Sequence, residues 1–397
     1  MNRSMNKEFD YETLRIRVLN WLNSLKTSEA CFRMDEDTDG TLYTTCFALF
    51  LYDLFRETDS WSEDDRQKWA DRILENQDPD TGYFIPEGYV GELETKPVQQ
   101  LTGFCLSALT ILDATPRYDL AFLEKWCSKK DIYTYLDSAG CFEGLSTTGN
   151  MAMFLGIFLT YQCRILNSPD KEEFIQYWFE IHDRTQNPDT GFWGQRRHNR
   201  YYAGFQNSFH QFVVYNYWKK NIQYHDRIVD KVLSLCDRKG QFGIVPGGGG
   251  CYDYDAADIL IQCGIKNDYR TADIVPVLEN LFKVILKFQN EDGGFSDSFC
   301  RPESFFSLVT PSVFQFCFQN LNPFISYYRF RSTVNAVRQK NRMKKDHWTK
   351  GERCWHKSDL WNTWFRCLTL AEIDTALTGQ TARWKFHECI GLGHFSL

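Results

Sequence analysis

The chain has 397 residues, of which 43% are hydrophobic and 16% aromatic, including 32 Phe, 20 Tyr and 12 Trp. Its 45 Lys and Arg against 52 Asp and Glu leave a net charge of -7, the wrong sign for a protein whose main partner is nucleic acid. The aromatic share excludes a disordered or low-complexity chain, which would lack the residues that build cores.

The first residues, MNRSMNKEFDYETL, are polar and acidic where a signal peptide carries an apolar stretch. No apolar run approaches the roughly 18 residues a spanning helix needs. A cytoplasmic protein is expected. The 14 cysteines are scattered singly from Cys31 to Cys389 without a CxxC pair. Several sit in apolar stretches (Cys46, Cys105, Cys163, Cys263, Cys367), so reduced, buried thiols are expected rather than a disulfide framework.

Two kinds of helix alternate along the chain. The spans 44–54, 99–112, 148–162, 206–217, 255–263 and 358–373 are apolar nearly all round and rich in small residues, the pattern of a buried helix. Helices over 62–76, 171–185 and 272–289 instead end in a polar turn. Gln77 to Phe84, Gln186 to Trp193 and Gln289 to Phe295 are copies of that turn, in which a glycine accepts the left-handed backbone that stops a helix. The copies recur roughly every hundred residues, and degenerate ones at Asp35–Gly40, Asp137–Phe142 and Asp237–Phe242 halve the period to roughly fifty, the length of a helical hairpin. Six such hairpins, with the amphipathic helices outside and the apolar ones inside, predict an all-α fold, a single (α/α)6 toroid over 1–397. The spacing breaks once, at about 296–357. That insertion carries an aromatic stretch from Phe305 to Tyr328 and a basic one through Arg338, Lys340, Arg342, Lys344 and Lys345. An elaborated helical insertion with a solvated face accounts for it; a lid, an anion-binding arm or a flap that touches a membrane accounts for it too.

The Gln-x4-Gly-x-aromatic turns resemble the QW motifs of terpenoid cyclases and the matching turns of protein prenyltransferase β-subunits. The resemblance implies that each Gln ties neighbouring helix ends and each ring packs on the next repeat. It implies little about the reaction, because toroids also serve glycoside hydrolases, lyases and epimerases.

The chemistry-bearing candidate is Gly247-Gly248-Gly249-Gly250-Cys251-Tyr252-Asp253-Tyr254-Asp255-Ala256-Ala257-Asp258. Asp253 and Asp255 are expected before or at the start of a buried helix, with Asp258 on the same face as Asp255. Acids there can simply cap the helix, but a cap needs one acid and three are present. Asp253-Tyr254-Asp255 also resembles the start of the DxDD motif of class II terpene cyclases. That resemblance implies Asp255 as proton donor to an alkene or epoxide and Asp253 as its partner; the last Asp of the motif is Ala256 here, so Asp258 would have to compensate. Tyr201, Tyr202 and His210, near the start of the fourth apolar helix, and Asp359, Trp361 and Arg366, near the start of the sixth, are candidate substrate contacts. Rings such as Phe205, Phe209 and Trp364 would face a carbocation or stack on a sugar equally well. Arg366 inside an apolar helix requires a carboxylate or a bound anion.

Zinc of the kind prenyltransferase β-subunits hold is not expected, since Cys251 precedes Asp253 and only His356 could approach. No cofactor is needed, beyond Mg²⁺ if the substrate carries a diphosphate. The favoured function is protonation-initiated cyclisation of an isoprenoid by Asp255; the alternatives are action on a glycan, with Asp255 and Asp359 as acid and base, and then non-catalytic binding of a lipid or protein.

Overall fold

The computed structural model describes residues 9–145, 148–298, 302, 304–339, 342–343, 347 and 353–386. In chain order the helices are α1 (Tyr11–Ser24), α2 (Leu42–Leu54), α3 (Glu63–Leu74), α4 (Lys96–Ile111), α5 (Lys129–Ser138), α6 (Thr148–Thr160) and α7 (Glu172–Thr185). Then follow α8 (Tyr202–Tyr217), α9 (His225–Ser234), α10 (Gly250–Ile259), α11 (Thr271–Leu286), α12 (Pro311–Phe318), α13 (Pro323–Arg338) and α14 (Leu360–Thr378). Short 3-10 and π segments and two short antiparallel strand pairs accompany them among the described residues. The chain divides into two compact units, one formed by Met1–Thr58 with Val232–Lys385 and the other by Asp59–Lys231 with Phe386–Leu397.

In the first unit, α1 buries Leu14, Val18, Leu19, Trp21 and Leu22, and α11 buries Ile274, Leu278, Leu281, Phe282 and Ile285. Those spacings are one stripe of an amphipathic helix. By contrast α2 is buried at every position except Tyr52, and α14 is buried from Leu360 to Thr375 except at Trp361. The second unit repeats the contrast. α3, α5 and α7 bury a stripe each, whereas α4 is buried continuously from Val98 to Leu109 and α6 along nearly its whole length. Glycine lets α6 and α8 approach closely: a Cβ on Gly149 would lie 2.0 Å from the Asn207 carbonyl oxygen. The alternation of helix types is thus the one read from the sequence, with α12 and α13 filling the insertion.

The polar turns tie these helices together. Gln77 donates through Nε2 to the Tyr118 carbonyl (2.8 Å) and accepts through Oε1 from the Arg117 and Tyr118 amides (2.8 and 3.0 Å). Gln186 donates to the Gly191 and Gln223 carbonyls, and Gln289 to that of Gly293. Gly293, at φ +101°, also lies where a Cβ would meet the Arg17 carbonyl oxygen at 2.3 Å. It therefore serves both the turn and the passage of α1. The ring of each turn is anchored through its own amide, which donates to a hydroxyl on the following apolar helix: Phe84 to Thr102 Oγ1 (3.0 Å), Trp193 to Ser208 Oγ (2.8 Å) and Phe295 to Thr363 Oγ1 (2.9 Å).

The basic stretch of the insertion falls mostly outside the described residues: Lys340, Lys344 and Lys345 do, as do the side chain of Arg342 and all of Cys389. The twelve cysteines among the described residues are free thiols. No helix among the described residues is long and apolar enough to cross a membrane.

Candidate active site

The site begins with the glycine run in the first unit. Gly247 and Gly248 have positive φ (+96° and +72°), and a Cβ on Gly248 would sit 2.5 Å from Asp253 Oδ2. Gly249 is extended and is the N-cap residue of α10, with no side-chain cap bond. A Cβ on Gly250 would meet Asn362 Oδ1 at 2.6 Å, so the start of α10 lies close against α14. The helix therefore begins earlier than the sequence suggests. Asp253 and Asp255 lie inside it, not before or at its start, and neither caps it. Of the glycines that look like a flexible lead-in, Gly249 is its N-cap and Gly250 its first residue, packed against α14.

Asp253 is fully buried and occupies the place that a hydroxyl holds in the other turns. Its Oδ1 accepts from the Phe242 amide (2.8 Å), as Thr102, Ser208 and Thr363 do for their rings. A carboxylate in this place brings a charge where its counterparts are neutral, and Arg366 supplies the opposite one. Arg366 Nη1 donates to Asp253 Oδ2, and both side chains are 0% exposed. Its Nη2 donates to the Asp297 carbonyl (2.6 Å), and the guanidinium lies 4.7 Å from the centre of the Phe288 ring. Burial pushes the Asp253 carboxyl above its ordinary value, while the Arg366 charge and the Phe242 amide pull it back.

Asp255 is in a different state two residues on. It is 6% exposed and, among the described residues, its side chain has no hydrogen-bond or ion-pair partner. Burial, with Asp258 and Asp253 adding repulsion, raises its pKa well above the usual carboxyl range. Burial and repulsion of this kind favour the protonated form. Asp258, also buried, is pushed up to about 7 by burial and held from going higher by the Gln262 side chain and Lys266.

Sequence reasoning missed Glu372 on α14. It is wholly buried, the Tyr254 hydroxyl approaches it, and burial and then Asp258 raise its pKa well above normal. The signal was present: an acid inside the apolar run Leu-Thr-Leu-Ala-Glu-Ile, the same anomaly that marks Arg366. Tyr254 also joins the acids to an aromatic cluster, with its ring centre 5.3 Å from that of Phe365. Trp361, half-buried, lies 4.6 Å from Phe365 and 5.3 Å from Phe47, and Trp364 stacks on Phe47 at 5.5 Å. Asp359 is the N-cap residue of α14; its two oxygens accept from the backbone amide and the side-chain amide of Asn362, both at 2.8 Å.

Tyr201, Tyr202 and His210 belong to the second unit. Tyr202 is buried at the first position of α8 and Tyr201 is half-buried just before it. His210 donates from Nδ1 to the Gln206 carbonyl (2.7 Å). Burial, then the nearby Lys96 charge, lowers its pKa to about 4, so the ring is neutral near pH 7. The side chain of His198, grouped with these residues by sequence, is outside the described residues.

No group of three or more His, Cys, Asp or Glu side chains among the described residues is arranged to hold a metal ion. The oxygens of Asp253 are already engaged by the Phe242 amide and Arg366. A cavity of about 320 Å³ is lined by the Cys236–Lys239 turn, Gly247 and the insertion residues Val313, Phe316 and Arg329, and not by Asp253, Asp255, Asp258 or Glu372.

Alternating striped and buried helices, joined by glutamine-anchored turns, define an α/α-toroid protein. The chain belongs to the prenyltransferase alpha-alpha toroid domain family, whose model matches residues 3–144 and 143–304. Among solved structures it is similar to a point variant of the type II terpene cyclase MstE from Scytonema, in its apo form, at 11% identity and TM-score 0.47, over 92% of this chain and 97% of that one. It is also similar to a possible GH105 family member from Salmonella enterica serovar Paratyphi A, at 12% identity and TM-score 0.42, over 85% of this chain and 97% of that one. No curated relative matches the sequence.

Proposed function

We propose that this protein is an enzyme that cyclises an isoprenoid by protonating it, with Asp255 as the general acid. The observation that carries this reading is the contrast between two neighbouring carboxyls. Asp253 is spent on Arg366 and the Phe242 amide, whereas the Asp255 side chain is buried and without a partner among the described residues, in surroundings that favour its protonated form. A general acid for an alkene must hold its proton in a dry site until the substrate arrives. Rings from Phe47, Trp361, Trp364 and Phe365 cluster in the same unit, and ring faces stabilise cations by about 0.5–2 kcal/mol each.

In the step itself, the Asp255 O–H bond breaks, a C–H bond forms at one alkene carbon, and the positive charge passes to the other. The alkene electrons of the chain then close the ring. A different C–H proton leaves to base or water, and Asp255 regains a proton from solvent. A glycan-directed reading that pairs Asp255 with Asp359 is less favoured, because both Asp359 oxygens are engaged by Asn362. The test is incubation with farnesyl and geranylgeranyl diphosphate and squalene in D₂O. The reading requires a cyclic product carrying one solvent-derived deuterium. Consumption of none of them, or a product without deuterium, overturns it.

A further inference from the structure

The insertion presents an apolar face with nothing of the described chain over it. α12 reads Pro-Ser-Val-Phe-Gln-Phe-Cys-Phe, apolar around most of its circumference. Its inward side, Val313, Phe316 and Cys317, packs with Leu308 into a small core of its own. The outward side, Phe314 and Phe318, is exposed, together with Phe305, Phe306 and Val309 before it and Leu321, Phe324, Tyr327 and Phe330 after it. Phe306 is 87% exposed and Leu321 102%, as open as side chains can be. Soluble surfaces rarely collect so many large apolar groups in one place unless something covers them.

Charge identifies the cover. In a chain of net charge -7, the segment from Ser304 to Lys345 contains no Asp or Glu, but holds Arg329, Arg331, Arg338, Lys340, Arg342, Lys344 and Lys345. Of these, Arg331 and Arg338 are exposed on α13 beside the rings. Two copies of such a face would bring like charges together, whereas an anionic bilayer answers both its features: acyl chains take the rings and headgroups the cations. With no described helix able to span the bilayer, the face can only lie on it. We infer that the Phe305–Arg338 insertion is a docking surface for an anionic lipid membrane. This stands apart from the proposed chemistry and survives its failure.

The test is co-sedimentation of the full chain with vesicles of phosphatidylcholine alone and of phosphatidylcholine with phosphatidylserine. Binding to the anionic vesicles is expected, weakened by salt and by about fivefold for each charge removed in Arg331→Gln and Arg338→Gln. Phe306→Ser with Leu321→Ser, at positions too exposed to unfold the chain, weakens it at least about tenfold at unchanged melting temperature. Three results overturn the inference: absence of binding to anionic vesicles, equal binding by the double variant, or a dimer in solution that the double variant dissolves while vesicles stay unbound.

Discussion

Replacing Arg366 with Met tests the arrangement on which the site rests. The guanidinium and the Asp253 carboxyl are both 0% exposed, so neither can turn to water when its partner goes. Removing Arg366 leaves the carboxylate with the Phe242 amide as its remaining neighbour in that network, and breaking one side of a buried pair costs about 3–5 kcal/mol. The contact with Phe288 is lost too, about 0.5–2 kcal/mol by itself. Against a typical domain stability of about 5–15 kcal/mol, this is a large fraction. The penalty has a ceiling, because Asp253 can take up a proton instead; it therefore shrinks as the pH falls. Adding Asp253→Asn removes the stranded charge, so the double variant should recover about 2 kcal/mol or more of the loss. Urea unfolding of wild type, both single variants and the double variant at neutral and acid pH measures each quantity. A cost below about 1 kcal/mol for Arg366→Met, or a double variant no more stable than that single one, would refute the reasoning.

Two further outcomes follow from the geometry. Gly149→Ala places a Cβ 2.0 Å from the Asn207 carbonyl oxygen; overpacking should cost about 1–3 kcal/mol despite the better helix propensity of Ala, and a melting temperature equal to wild type or higher would contradict the close approach of α6 and α8. For Asp258, the folded state keeps its proton to about pH 7 while the ordinary carboxyl titrates near 3.8. The native state thus binds more protons across that window, and this group's contribution to stability falls as pH rises from about 4 to 7 and is level above. Asp258→Asn should lack that slope, matching wild type in acid and exceeding it at neutral pH. Parallel curves of melting temperature against pH would rule the effect out.

The repeat was legible because both its signals are local. A Gln followed by a Gly four or five residues on marks a turn whose backbone only glycine adopts easily, and an apolar run such as Thr148–Gln162 cannot face water. The start of α10 was not legible, since what fixes it is the distance from Gly250 to Asn362, more than a hundred residues away in sequence. The same holds for the roles of the acids. In sequence Asp253 and Asp255 are alike; the difference between them comes from Arg366 and from Phe242, which the fold brings to one and not the other. Asp359 reads as an acid at a helix start, and the structure gives it the ordinary task of an N-cap. Glu372 was legible in principle, as a charge stranded in an apolar helix, and only Arg366 was singled out on that ground.

The central claim is that Asp255 donates the proton that starts the reaction. Its most direct measurement is turnover by Asp255→Asn, which keeps the shape of the side chain and removes the acidic proton, compared with wild type on whichever isoprenoid the wild type consumes. If Asp255 is the donor, turnover falls at least about a hundredfold, while the melting temperature stays level or rises, because Asn keeps the size of the side chain and can carry no charge in the buried site. Turnover within a few fold of wild type, from a variant just as stably folded, would assign the proton to another group.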